Sequence, residues 1–363
     1  YFTVIANPSL KWETQISTDI ALEFGLFDCL TGTIEYFKKD SKDLLFDVSQ
    51  PASVGVTSII QNIGKVTNSG VEIELDYNAF KNKDWSVSVG ANATFVKNKI
   101  KNLPATMKEN GYISGSKKWL EGKSIYEFWL RQWHGVDPQT GDGLYVADVS
   151  KYNQGNIGTG DGNITQSQFD EYKKTVVTID GKELTNSYTY AKYDFSGSSI
   201  PDVFGGFNVR VSYKNFDLAA VFSYQLGGQV LDTNYATMMS MTEFGYAQSP
   251  DLLKAWKQAG DITEVPRIDN SAAHTTNIGQ SYSTRWLTSS DYLNLRSVTI
   301  GYQFPKAWLS KVMLKSARLN LTAENLFMLK ARQGLNPMAN YSGVTYNEYM
   351  PSRNITLGLN VSF

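Results

Sequence analysis

Hydrophobic and polar residues alternate with a period of two along most of the 363-residue chain. In "VEIELDY", Val71, Ile73, Leu75 and Tyr77 fall on one side of an extended backbone and Glu72, Glu74 and Asp76 on the other. "WSVSVGANATF" repeats the arrangement, with Trp85, Val87, Val89, Ala91, Ala93 and Phe95 set against Ser86, Ser88, Gly90, Asn92 and Thr94. The same period runs through 16–26, 30–36, 207–213, 216–224, 298–304 and 317–323. It returns in the closing "RNITLGLNVSF", where Ile355, Leu357, Leu359, Val361 and Phe363 share a side. Nine strands are therefore predicted.

The links between them alternate in length. Short ones fall at 27–29, 81–83, 214–215 and 305–311, and long ones at about 40–65, 98–202, 228–285 and 327–352. In an up-and-down sheet successive links lie at opposite ends, so the short turns share one rim and the long loops the other. This predicts an all-β fold, a transmembrane antiparallel β-barrel with periplasmic turns and long extracellular loops. A secreted β-sandwich that binds carbohydrate without transport also alternates in this way. Strands near the 9 to 11 residues that cross a bilayer favour the barrel, as do aromatic strand ends and a Ser, Asn, Thr and Glu-rich inner face. Nine strands in lipid would leave two unpaired edges, at several kcal/mol for each bare backbone group. The chain, which opens at Tyr1, is thus expected to be the carboxy-terminal part of a larger barrel, processed or truncated, with residues 1–363 supplying wall and loops.

Charge adds little: 34 basic and 35 acidic residues leave a net charge of −1, and nucleic acid is not an expected partner. Aromatic residues make up 13% of the chain, which suits strands and interfacial rings. Cys29 is the single cysteine, which excludes an intrachain disulfide. No run of about 18 apolar residues predicts a transmembrane helix. His134 and His274 stand far apart without metal-ligand or catalytic spacing, so no enzyme, metal or cofactor is expected; a barrel hydrolase would need a nucleophile and base facing the lumen. In "GTGDGNITQSQFDEY" the calcium-loop pattern fails at both anchors, leaving a polar loop before a short helix and a looser oxygen site at Asp161 and Asn163. "SPDLLKAWKQAGD" (249–261) reads as a helix with Leu252, Leu253 and Trp256 on one face.

The richest chemistry lies in "KWLEGKSIYEFWLRQWHG", which concentrates Trp119, Tyr126, Phe128, Trp129, Trp133 and His134 in a long loop. Ring faces stack on sugars or peptide side chains, and Arg131 can hold a carboxylate through two hydrogen bonds. Trp119, Tyr126, Trp129, Arg131, Trp133 and His134 are the candidate ligand-binding set; packing within the loop is the other reading.

Several phrases, in order, carry a family likeness: "ANPSLKWETQ" (6–15), "QNIGKVTNSGVEIEL" (61–75), "GKSIYEFWLRQWHGVDPQTGDGLYV" (122–146), "DYLNLRSVTIGYQFP" (291–305), "AENLF" (323–327) and the last strand. Together they resemble the SusC-like, TonB-dependent outer-membrane transporters of Bacteroidota. The resemblance implies about nine strands of a barrel of about 22, filled by an amino-terminal plug that these residues lack. It implies import of oligosaccharides or peptides, energy from the TonB complex, a SusD-like lipoprotein lid in a two-plus-two assembly, and residence in the bacterial outer membrane. Ile355, Leu357, Leu359, Val361 and Phe363 resemble the insertion signal read by the outer-membrane assembly machinery. Where family members carry an acidic Gly-x-Asp-Pro-Glu-like stretch, this chain has Asn336 and Met338, which puts ion binding or loop clamping there in doubt.

Overall fold

A computed structural model describes the protein apart from residues 1–6, 50–54, 57, 63, 161, 242–244, 246 and 280–281. Among the described residues, nine strands form one sheet that follows chain order. They are β1 (Thr14–Leu26), β2 (Leu30–Lys42), β3 (Lys65–Lys81), β4 (Trp85–Asn102), β5 (Val203–Tyr213), β6 (Phe216–Leu226), β7 (Tyr292–Gln303), β8 (Ser316–Lys330) and β9 (Asn354–Ser362). All eight neighbouring pairs are antiparallel. One continuous sheet replaces the two stacked sheets that a sandwich requires, and the wall of a β-barrel is the fold observed. No described helix is long and apolar enough to cross a membrane.

Cross-strand register turns the alternation into rows. Leu22, Ile34, Ile73 and Ala93 are successive partners across β1 to β4, and Ile20, Tyr36, Val71 and Phe95 form another such row. Ile20 (65%), Leu22 (63%), Ile34, Tyr36 and Phe95 are exposed, while Val71, Ile73 and Ala93 are half-buried between them. A sheet face carrying exposed and half-exposed apolar side chains row after row is the signature of a surface wetted by lipid or by another protein, not by water. Toward the short turns, Trp85, Tyr213, Phe216 and Tyr302 are likewise successive partners, with Trp85 to Tyr213 at 4.4 Å and Phe216 to Tyr302 at 4.5 Å between ring centroids. Between Trp85 and Phe95 the strand rises about 33 Å, or about 25 Å at a tilt near 40°, the height of an outer-membrane apolar band.

β3 has 17 residues and β4 has 18, well beyond that band. Their far ends leave the membrane level and build a small core in which Val66, Ile100, Leu103 and Met107 are buried against Leu44, Trp119 and Ile125. Asn98 helps to fix the returning loop: its Oδ1 accepts from the Ile125 N–H and the Ser124 hydroxyl, both at 2.9 Å. The long link after β4 thereby folds over the polar face of the sheet.

Within the long links the expected helices fare differently. Gln166–Thr175 is helical, with Thr165 and Gln168 forming a reciprocal capping box. The segment 249–261 is not one helix but a short 3-10 turn, Pro250–Lys254. It stops because Trp256 N–H donates to the Val265 carbonyl, and the Lys257 and Gln258 N–H groups to Asp261 Oδ2. Leu252 is half-buried, but Leu253 is 79% exposed, so the apolar face expected there does not form.

Candidate functional site

The strand Glu127–Arg131 organises the loop region because its residues alternate strictly in burial. Phe128 and Leu130 are fully buried in a core that also takes in Leu231, Trp286 and Val344 from later loops. The opposite face carries Trp129 and Arg131, and the paired strand Tyr193–Ser198 sets Phe195 opposite Trp129 and Tyr193 opposite Arg131. The result is a half-buried aromatic surface: Trp129 lies 4.9 Å from Phe195 and stacks on Tyr193 at 6.2 Å. Lys118 Nζ stands 4.1 Å over Trp129, and Lys123 Nζ 4.7 Å over Phe195. The Arg131 guanidinium sits 4.9 Å from Tyr188 and 4.7 Å from Tyr193, held by its Nε, which donates to the Tyr188 carbonyl at 3.0 Å.

A second layer lies deeper. Trp133 meets Tyr145 edge-on at 5.1 Å, and Gly143 is needed beside it because a Cβ there would collide with the indole. Arg285 fits between Trp133 and Trp286, at 4.7 and 4.3 Å, and its Nη1 donates to the Ile278 carbonyl at 3.1 Å. Burial pushes this guanidinium down to about 10 and pushes the neighbouring Tyr145 phenol, which donates to the Asn277 carbonyl, up to about 12. Lys117, also buried, has its Nζ 3.2 Å from the Phe128 ring centroid and donates to the Tyr126 carbonyl and the Ser199 hydroxyl. Burial lowers it to about 7. Among the described residues no carboxylate lies within 4.0 Å of the charged nitrogens of Lys117, Lys118, Lys123, Arg131 or Arg285. Glu127 and Asp194 act on Lys117 and Lys123 from farther away, while Arg131 and Arg285 have no carboxylate within ion-pair distance among the described residues.

The candidate set splits among several places. Trp129 and Arg131 share one face and Trp133 joins the deeper layer. Trp119 belongs to the β3/β4 end core, touching Phe46 and Tyr112. Tyr126 faces Tyr341 of the last long loop at 6.0 Å. His134 is exposed. Tyr188, Tyr193, Phe195 and Arg285 complete the surface but left no local mark in the sequence, since pairing across some 60 to 150 residues brings them in, whereas Lys118 opens the Trp-rich segment itself. Asp161 lies outside the described residues, and no group of three or more potential metal ligands occurs among those described. Asn336 does clamp its loop without an acidic group: Oδ1 accepts from Met338 N–H, and Nδ2 donates to the Tyr349 carbonyl at 3.0 Å.

Comparison with known proteins agrees with this architecture. Residues 1–156 match the family model described as TonB dependent receptor-like, beta-barrel. TonB-dependent receptor P3 of Formosa agariphila is 29% identical over 99% of this chain and 35% of its own length. TonB-dependent receptor SusC of Bacteroides thetaiotaomicron is 24% identical over 98% of this chain and 32% of its own. The structure of the RagAB peptide importer in its closed-closed state superposes with a TM-score of 0.78 at 25% identity, covering all of this chain and 37% of that one. The chain spans about a third of the length of the relatives it matches. These relatives are receptors and transporters, not enzymes, and the resemblance to the SusC-like family is borne out.

Proposed function

We propose that the chain, whose wall and loops resemble those of SusC-like TonB-dependent receptors, forms the carboxy-terminal part of an outer-membrane importer whose remaining strands and plug come from other residues of the protein. The sheet of exposed apolar rows supports residence in the membrane, and the relatives' names support energy coupling through TonB. The long loops would receive cargo beneath a SusD-like lipoprotein lid, in a two-plus-two assembly, and pass it into the lumen.

Of the two cargo classes, we favour peptides over oligosaccharides. The observation that carries this is the pair of guanidiniums, Arg131 and Arg285, set among rings with no carboxylate of the described residues within ion-pair distance. Arg131 spends only its Nε on a described hydrogen bond, so its two terminal nitrogens are available as a fork for a peptide carboxylate. A neutral glycan would use the rings but leave that charge idle. The RagAB match supports the same choice. The test is uptake of a fluorescent peptide with a free carboxy-terminus by cells producing the full-length receptor. Uptake should stop when TonB is removed and fall about tenfold for Arg131→Gln, from the loss of a charge-assisted pair. Undiminished uptake without TonB would sink the importer reading, and a preference for a neutral oligosaccharide would overturn the cargo assignment.

A further inference from the structure

The outward face of β1 to β4 changes character abruptly above the row formed by Ile20, Tyr36, Val71 and Phe95. The next rows in register on that same face are Thr18, Lys38, Ser69 and Lys97, then Ile16, Asp40, Thr67 and Lys99, then Thr14, Lys42 and Lys65. Five lysines thus meet one acid. Asp40 is engaged with Lys38 and Lys65, at 3.5 Å each, and by the Thr67 hydroxyl at 2.6 Å. Lys42, Lys97 and Lys99 form no described ion pair, and Lys97 and Lys99 are exposed.

Position gives this patch a meaning that loop lysines lack. Lys97 stands two residues beyond Phe95, about 5 Å higher along the barrel axis, where an apolar band gives way to head groups. The patch is on the long-loop side, and it points away from the lumen, because the intervening Asn98 and Ile100 point to the polar face and are buried beneath the loop. Cargo therefore does not pass it. Snorkelling alone would account for one or two long side chains at that level. A field of five, with three uncompensated, needs counter-charge of fixed position, and phosphate at head-group height supplies it.

We propose that Lys38, Lys42, Lys65, Lys97 and Lys99 form a seat for the phosphate groups of a phosphorylated glycolipid of the outer leaflet, its acyl chains lying along the rows of Ile20, Tyr36, Val71 and Phe95. The seat rests on the outer-membrane reading given above. The test uses the full-length receptor in neutral detergent, with retained lipid measured by native mass spectrometry after adding diphosphoryl lipid A or the same lipid with its phosphates removed. The phosphorylated form should be retained and the dephosphorylated form lost. Combined Lys38→Gln, Lys97→Gln and Lys99→Gln should weaken retention roughly a hundredfold, at a contribution of about tenfold or somewhat less for each lysine near the surface. Lys39→Gln, one residue along β2 and on the opposite face, should change nothing. Equal retention of the two lipids by the unaltered receptor overturns the proposal whether or not the triple variant reaches the membrane. If peptide uptake remains TonB-dependent in that case, the importer reading stands and only the lipid seat falls.

Discussion

Trp133 and Trp129 sit four residues apart, yet the structure gives them different work. Trp133 is wedged against Tyr145, Gly143 and Arg285, so Trp133→Ala would open a cavity costing about 3 to 5 kcal/mol of local stability. Any loss of uptake in that variant would confound packing with binding. Trp129 lies on the half-buried face, and Trp129→Ala should reduce peptide affinity by about tenfold while leaving loop protection in hydrogen exchange unchanged. Unchanged affinity would return Trp129 to packing alone. Lys117 offers a pH test. Its folded value, about 7, lies below the ordinary 10.5, so the unfolded loop binds the extra proton between those values. Stability of the pinned segment should therefore rise with pH from about 7 to about 10.5, and be lowest below 7. Hydrogen exchange around Tyr126 and Ser199 at pH 6 and pH 9, corrected for intrinsic rates, measures this; greater protection at pH 6 would show that the Phe128 ring keeps the lysine charged.

At the scale of elements, all nine wall strands were legible because one face of each meets a single environment, and a period of two survives whenever that holds. Strand ends were not legible. β3 begins at Lys65 and β4 ends at Asn102 because lysines replace apolar residues on the outer face, while Val66 and Ile100 become apolar on the inner one. The pattern thus inverts at the level where lipid stops and loop packing begins. Inside the long links the strands are only three to six residues, too short for periodicity to register, and their partners come from distant sequence. That is why the Trp-rich segment could be named as chemistry but not resolved into a half-buried aromatic face, a deeper layer and a separate core. The last strand is the simplest element to probe. Ile355, Leu357 and Phe363 are 71%, 69% and 80% exposed, and they line one side of β9 with Leu359 and Val361. If this side is the insertion signal, Phe363→Ser should lower the amount of receptor reaching the outer membrane severalfold without changing uptake per assembled molecule. Equal surface levels would show that the assembly machinery does not read it.

At the scale of the molecule the governing fact is that, among the described residues, the sheet has two free edges. β1 pairs only with β2, and β9 only with β8, so the outer sides of Thr14–Leu26 and Asn354–Ser362 present backbone N–H and C=O groups to whatever surrounds them. In hydrocarbon each such group costs several kcal/mol, far more than the marginal stability of a domain can absorb across two strands. Closing the sheet on itself by pairing β1 with β9 would require a small barrel. The lumen of such a barrel would have to exclude the loop that folds over the polar face at Val66, Ile100 and Trp119. The 363 residues alone are therefore expected to fail to form a heat-resistant species in detergent or liposomes, whereas the full-length receptor should migrate as a compact band until boiled. A compact, protease-resistant band from the isolated 363 residues would mean that the edges find each other, and that the wall is complete without further strands.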